Sequence, residues 1–122
     1  MEETPQVLVV DDDPDLRELL EFDFRTNGFD TVTVANGAEA LNYLRETTDL
    51  PDVIVLDLLM PGVDGMTFLH KRSDTRFESI PVIMLTVVDD VETFRAAYEL
   101  GIDDYVTKPF SPPHLVTRVE NI

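Results

Sequence analysis

The residues able to do chemistry fall in four separated places. Three aspartates, Asp11, Asp12 and Asp13, follow the apolar run VLVV. Asp57 follows VIVL, Thr86 follows VIML, and Lys108 stands in the segment TKPF. Carboxylates gathered at one point repel and raise one another's pKa unless a cation intervenes. Oxygen-only ligands on short side chains suit Mg²⁺, which keeps several waters and shares phosphate oxygens. An aspartate at a strand end beside such an ion can act as a nucleophile and form an aspartyl phosphate. Charge developing on the phosphoryl group then needs further donors, and Lys108 and the Thr86 hydroxyl can supply them. Chemistry of this kind is largely positioning and electrostatics, so a phosphorylated partner can be the donor.

That chemistry requires the four places to meet, and the elements between them say how. Val7 to Val10 is a short, continuous apolar run, as expected of a strand buried on both faces. Asp13 and Pro14 read as a helix N-cap and first position. Leu16, Leu19, Leu20 and Phe24 follow at helical spacing, and Gly28 ends the helix. Thr31 to Val34 is a second strand, and Asn36 caps a helix with Ala40, Leu41 and Leu44 inward. Asp52 to Leu56 is a third strand, ending at Asp57. The segment MPGVDG is loop, shaped by Pro61, Gly62 and Gly65. A helix from Met66 to about Arg72 precedes a fourth strand, Ile80 to Leu85. Asp89 and Asp90 open a helix carrying Phe94, Ala97, Tyr98 and Leu100, which Gly101 stops. Asp104 to Thr107 is the fifth strand, and Ser111 with Pro112 caps a last helix containing Leu115, Val116 and Val119. Five strand–helix units with short connections specify an open, doubly wound parallel α/β sheet covered by helices on both faces. All strand carboxyl ends then lie along one rim, which brings the carboxylates, the hydroxyl and the ammonium together.

Composition narrows the function. The chain has 122 residues, enough for one domain spanning 1–122. Cysteine is absent, which removes disulfides, thiolate metal sites and cysteine nucleophiles. A cytoplasmic location is compatible with that. The segment MEETPQVLVV has no basic n-region and only a four-residue apolar run, unlike a signal peptide or membrane anchor. Lysine and arginine number 9 against 25 acids, a net charge of −16. Direct nucleic-acid binding by this segment is not expected, because a phosphate backbone needs a basic surface. The acidic excess reads either as an ordinary solvated surface or as adaptation to high salt. His70 and His114 stand alone on helices with no ligand partner at helical spacing. Neither reads as a metal ligand or a phosphorylatable histidine. Asp13 reads as a helix cap, separate from its two neighbours.

The segments VLVVDDDP, VIVLDLLMPGVDG, VIMLT and DDYVTKPF together resemble the receiver domains of two-component response regulators, along the whole chain. The resemblance implies a flavodoxin-like sheet of strand order 2-1-3-4-5. It implies that Asp57 is the phosphoacceptor, that Asp12 ligates Mg²⁺ directly and Asp11 mostly through water, and that the Leu59 carbonyl is a further ligand. Thr86 and Lys108 would bind phosphoryl oxygens, and the bond between Lys108 and Pro109 would be cis. Tyr105 matches the aromatic switch residue that turns inward as Thr86 moves towards the phosphate. The donor would be a histidine kinase, and the face made by the fourth helix, fifth strand and fifth helix would control an output partner or domain.

Some positions depart from the family's pattern. The residue after Thr86 is usually small and is Val87 here. Leu59 and Val88, each two residues beyond Asp57 and Thr86, are apolar. These three form an apolar rim expected to slow loss of the phosphoryl group. The last helix is similar to those of receivers that dimerise through this face, with Arg118 matching a pairing arginine and Asp103 or Asp104 as its mate. An acidic residue common before the leucine of that helix is His114 here, which removes one ion pair from such a homodimer. Two other readings stand beside the signalling one. A Mg²⁺-dependent phosphatase forming an aspartyl phosphate typically has a second acid two residues after the nucleophile, where this chain has Leu59. A phosphate-independent interaction module would not need Asp12, Asp57, Thr86 and Lys108 together.

Overall fold

A computed structural model describes residues 4–60 and 62–122. The loop-shaping expected of Pro61 lies outside the described residues. Ten elements alternate along the chain: β1 (Gln6–Val10), α1 (Pro14–Thr26), β2 (Asp30–Val34), α2 (Gly37–Glu46), β3 (Val53–Leu56), α3 (Gly65–Arg72), β4 (Val82–Thr86), α4 (Val91–Glu99), β5 (Asp104–Thr107) and α5 (Pro112–Glu120). The strands form one five-stranded sheet of order β2-β1-β3-β4-β5, with every neighbouring pair parallel.

Side chains alternate across that sheet because the strand period is two. Leu8, Val10, Ile54, Leu56, Val82 and Met84 face one side, where Ala40, Leu41 and Leu44 of α2, Phe68 and Leu69 of α3, and Ala97 of α4 cover them. Val7, Val9, Val53, Val55, Ile83 and Leu85 face the other, under Leu20 and Phe24 of α1 and Leu115, Val116 and Val119 of α5. Both faces are dry, which is why these strands read as continuous apolar runs. Each fully buried aliphatic or aromatic side chain contributes about 1.5–3 kcal/mol of hydrophobic stabilisation.

Helix ends follow from capping. Asp13 accepts hydrogen bonds from the Asp15 and Leu16 N–H groups, Asn36 from Glu39, Asp64 from Thr67 and Asp90 from Thr93. Gly28 and Gly101 carry φ of +90° and +93° just past their helices, where a side chain would be strained. Two expectations need correcting. The fourth strand begins at Val82 rather than Ile80: the Ile80 N–H bonds the Phe77 carbonyl in a turn, and Pro81 has no N–H to give. Ser111 sits at the start of α5 without a side-chain capping bond. On α4 only Ala97 is buried, and Phe94 and Tyr98 lie exposed. Their rings stack outside the core, Phe94 with Tyr98 at 4.8 Å and with Tyr105 at 5.3 Å between centroids.

A charge the sequence did not single out is buried at the amino ends of the strands. Arg72, 1% exposed, closes α3 and donates to the carbonyls of Phe77, Glu78 and Ile80 at 3.2, 2.7 and 3.1 Å and of Gly101 at 3.2 Å. Burial lowers its pKa, and the charges of Asp103 and Glu78 oppose that. Among the described residues no helix is long and apolar enough to cross a membrane.

Candidate phosphoacceptor and metal site

The direction of winding reverses between β1 and β3: α1 leaves β1 to one face, whereas α2 and α3 cover the other. The crevice at the carboxyl ends of these strands is where ligands bind in open α/β sheets. Asp11 and Asp12 emerge there from β1 and Asp57 from β3. One carboxylate oxygen from each lies within 4.8 Å of the others. Asp11 and Asp57 are buried, and Asp12 is exposed. A depression lined by Asp12, Leu59, Met60 and Asp64 opens beside them.

The local backbone fixes the carboxylates. Asp11 Oδ1 accepts the Asp13 N–H at 2.9 Å, and Asp57 Oδ1 accepts the Leu59 N–H at 3.2 Å. Lys108 Nζ reaches across from the end of β5 to Asp11 Oδ2 at 2.9 Å and Asp57 Oδ2 at 3.2 Å. Burial pushes the Asp11 carboxyl above its ordinary range, and the neighbouring Asp57 charge adds to that. The Lys108 bond and the Asp13 N–H pull the other way without winning. Burial alone would depress Lys108, but the hydrogen bond and charge of Asp11, with those of Asp57, hold it above its usual value.

The donor set fits a hard divalent cation. Three carboxylates face one ammonium, so with all of them ionised the cluster carries a net charge of about −2, and every ligand atom it offers is oxygen. Asp11, Asp12 and Asp57 would hold such an ion.

Thr86 ends β4, is fully buried, and its hydroxyl accepts the Val88 N–H at 3.4 Å. Tyr105 is half-buried against the core and donates its hydroxyl to the Val88 carbonyl at 2.6 Å. One residue pair, Val88 and Tyr105, thus ties the loop after β4 to β5. Burial raises the Tyr105 pKa, and Asp90 and Asp89 raise it further. The bond between Lys108 and Pro109 is cis. Of the apolar rim, Leu59 and Val87 are 53% and 59% exposed, whereas Val88 is half-buried and packs on the core. His70 is exposed, and His114 Nε2 accepts the Arg118 Nε–H at 3.2 Å. Arg118 pairs within its own chain, 2.5 Å from Asp104 Oδ2.

Sequence reasoning missed Arg17, whose guanidinium donates to the Asp11 carbonyl at 2.8 Å and ties α1 to the end of β1. A single arginine on a helix gives no signal of such a contact. It also passed over Gly37, which follows the Asn36 cap and donates its N–H to the Val63 carbonyl in the loop after Asp57.

An α/β sheet of this order, with an acidic trio and a lysine at its switch point, defines a receiver-type domain. Residues 7–120 match the family described as response regulator receiver domain, and the chain belongs to that family. It is 43% identical over 115 residues to the DNA-binding response regulator MtrA of Mycolicibacterium smegmatis, covering 93% of this chain and 48% of that protein. It is 38% identical over 122 residues to the transcriptional regulatory protein BaeR of Escherichia coli, covering 99% and 49%. The chain therefore spans about half the length of the curated relatives it matches. Among solved structures, a putative response regulator from Chloroflexus aurantiacus matches with a TM-score of 0.87 at 38% identity, covering 98% of this chain and 97% of that one. The chemotaxis protein CheY4 of Vibrio cholerae matches with a TM-score of 0.90 at 27% identity, covering 98% and 99%. The chain is a receiver of two-component signalling.

Proposed function

We propose that Asp57 accepts a phosphoryl group from a histidine kinase in the presence of Mg²⁺. The observation carrying this is the convergence of Asp11, Asp12 and Asp57 within 4.8 Å, with Lys108 bridging two of them. An Asp57 carboxylate oxygen forms the new P–O bond while the P–N bond to the donor imidazole breaks and the imidazole leaves. Lys108, already on Asp57 Oδ2, is placed to follow the phosphoryl oxygens, and the Leu59 N–H holds Oδ1. Bound Mg²⁺, held by Asp11, Asp12, Asp57 and the Leu59 carbonyl, would neutralise charge on those oxygens.

The Thr86 hydroxyl would leave the Val88 N–H for the phosphoryl group, and the Tyr105–Val88 contact would repack with the loop. That biases a two-state equilibrium on the face made by α4, β5 and α5, which an output domain or partner reads. A homodimer through this face requires Arg118 to exchange Asp104 of its own chain for a carboxylate of the second copy. The net charge of −16 gives this segment no basic surface, so an output acting on nucleic acid would lie in another domain. The site would work in the cytoplasm, where kinase phosphoryl donors are made.

Exposed Leu59 next to Asp57, with exposed Val87 and half-buried Val88 following Thr86, would keep attacking water away and prolong the phosphorylated state. Replacing Val88 with a polar residue should then speed dephosphorylation, and an unchanged rate would remove that part of the proposal. The central test is incubation with Mg²⁺ and a small acyl phosphate, followed by intact mass. One added phosphoryl group, absent in Asp57→Asn, supports the reading. Metal-dependent turnover of assorted phosphomonoesters would instead make the chain a phosphatase.

A further inference from the structure

The loop following Asp57 is gripped at two glycines. From within, the Gly65 N–H donates to the Leu58 carbonyl at 3.0 Å. A Cβ on Gly65 would lie 2.5 Å from the Asp57 carbonyl oxygen and 2.9 Å from Leu58 Cα. From outside, Gly37 at the start of α2 donates its N–H to the Val63 carbonyl at 3.1 Å. A Cβ there would lie 2.6 Å from that carbonyl oxygen and 2.7 Å from Val63 Cγ1. The first of these neighbours is backbone, so no change of rotamer relieves it. Gly37 does not adopt a left-handed φ, unlike Gly28, Gly62 and Gly101. Close approach, not conformational freedom, is what the position requires.

The contact lies on the same short loop as the chemistry. Val63 packs on the core, and its neighbour Asp64 caps α3 by accepting the Thr67 N–H at 2.9 Å. At the other end of the loop, the Leu59 N–H orients Asp57 Oδ1 at 3.2 Å. Asp12, Leu59 and Asp64 line one depression, so the loop forms a wall of the acidic crevice. Moving Val63 moves that wall.

We propose that Gly37 is a positioning residue for the phosphorylation site: its bare Cα lets α2 seat on Val63, which sets where the Leu59 backbone meets Asp57 and the ion. This rests on the reading of Asp57 as metal ligand and phosphoacceptor. Supporting residues around a metal site typically change affinity about 10–100-fold when lost. Gly37→Ala should therefore bind Mg²⁺ about tenfold more weakly, the low end of that range, because the ligands themselves remain.

Titration calorimetry of Mg²⁺ into the full chain tests this, beside thermal unfolding of each protein. Gly28→Ala serves as a comparison. It strains a φ of +90° but meets nothing within 4 Å, so it should lose stability with Mg²⁺ affinity unchanged. Weaker binding in Gly37→Ala alone supports the proposal. Equal affinity in a folded Gly37→Ala, or equal weakening in both variants, overturns it. Should Gly37→Ala fail to fold, the wild-type chain decides. By linkage, saturating Mg²⁺ should slow hydrogen exchange at the Gly37 amide, and an unchanged rate there overturns the proposal. A wild-type chain that binds no Mg²⁺ sinks the metal-site reading and this inference together. A wild type that binds it and a Gly37→Ala variant that binds it equally sink only this one.

Discussion

Replacing Asp11 with asparagine should stabilise the protein when divalent cations are chelated. The carboxylate oxygens of Asp11, Asp12 and Asp57 lie within 4.8 Å of one another. At an effective dielectric of ~20, charges at that spacing repel by about 3.5 kcal/mol. Lys108 offsets this by about 5–6 kcal/mol with Asp11 at the observed 2.9 Å. The substitution forfeits that attraction and relieves the Asp57 repulsion, together with a smaller, solvent-screened part from exposed Asp12. Coulomb terms therefore nearly cancel, and hydration decides. Asp11 is 2% exposed, and burying a carboxylate costs several kcal/mol that an amide of the same size does not incur. The amide oxygen can still accept the Asp13 N–H. The expected net gain is about 1–2 kcal/mol, or roughly 4–8 °C in Tm for a domain of this length.

The pH dependence has a definite sign. The folded-state Asp11 carboxyl is raised, so the folded protein holds that proton more tightly than the unfolded chain. Wild type then loses stability as pH rises from the ordinary aspartate range through the raised folded value. Asp11→Asn does not, so the gap between them opens across that window and is flat above it. Added Mg²⁺ stabilises wild type by mass action and narrows the gap. Calorimetric melts in chelator at several pH values measure all of this. A variant melting at or below wild type near neutrality would show that burial does not outweigh the Lys108 pairing.

Arg72→Met should cost about 2–4 kcal/mol in urea unfolding, because four carbonyls lose a buried donor; a loss well under 1 kcal/mol would mean water replaces the guanidinium. Tyr105→Phe should cost about 1 kcal/mol for the bond to the Val88 carbonyl, and no loss in melts would mark that bond as idle. Arg118→Ala should lower the Tm only slightly at low salt, since the pair with Asp104 is partly exposed, and the loss should vanish in molar salt. The net charge of −16 predicts a Tm that rises with sodium chloride as self-repulsion is screened; a flat Tm would count against a surface adapted to salt.

Much of this was legible in the sequence because its signals are local or periodic. VLVV, VIVL and VIML announce strands dry on both faces, and Asp13, Asn36, Gly28 and Gly101 mark helix ends by their own chemistry. Lys108 meets Asp11 and Asp57 across separations of 97 and 51 residues, yet the rim of a parallel sheet makes that meeting predictable. What was missed depends on partners with no shared pattern. Arg72 looks like an ordinary basic helix end until three carbonyls of the turn that follows and one from beyond α4 surround it. Phe94 and Tyr98 have core-like spacing, but small Ala97 is what seats α4, and the rings are left outside. Gly37 sits in a plain capping sequence, and only the nearness of Val63 explains why it has no side chain.

Arg72 also decides how α4 can move. Its guanidinium holds the Gly101 carbonyl, just beyond the last residue of α4, to the end of α3 and the turn before β4. The opposite end of α4 begins three residues after Val88, whose carbonyl rests on one tyrosine hydroxyl. A rod pinned at its foot and lightly held at its head moves as a lever about that pivot. With 9 residues, α4 is about 13 Å long. A shift of ~1 Å at its head is a tilt of only about 4° over that length. Such a swing would displace the exposed Phe94 and Tyr98 rings sideways while the pinned end of α4 stayed still.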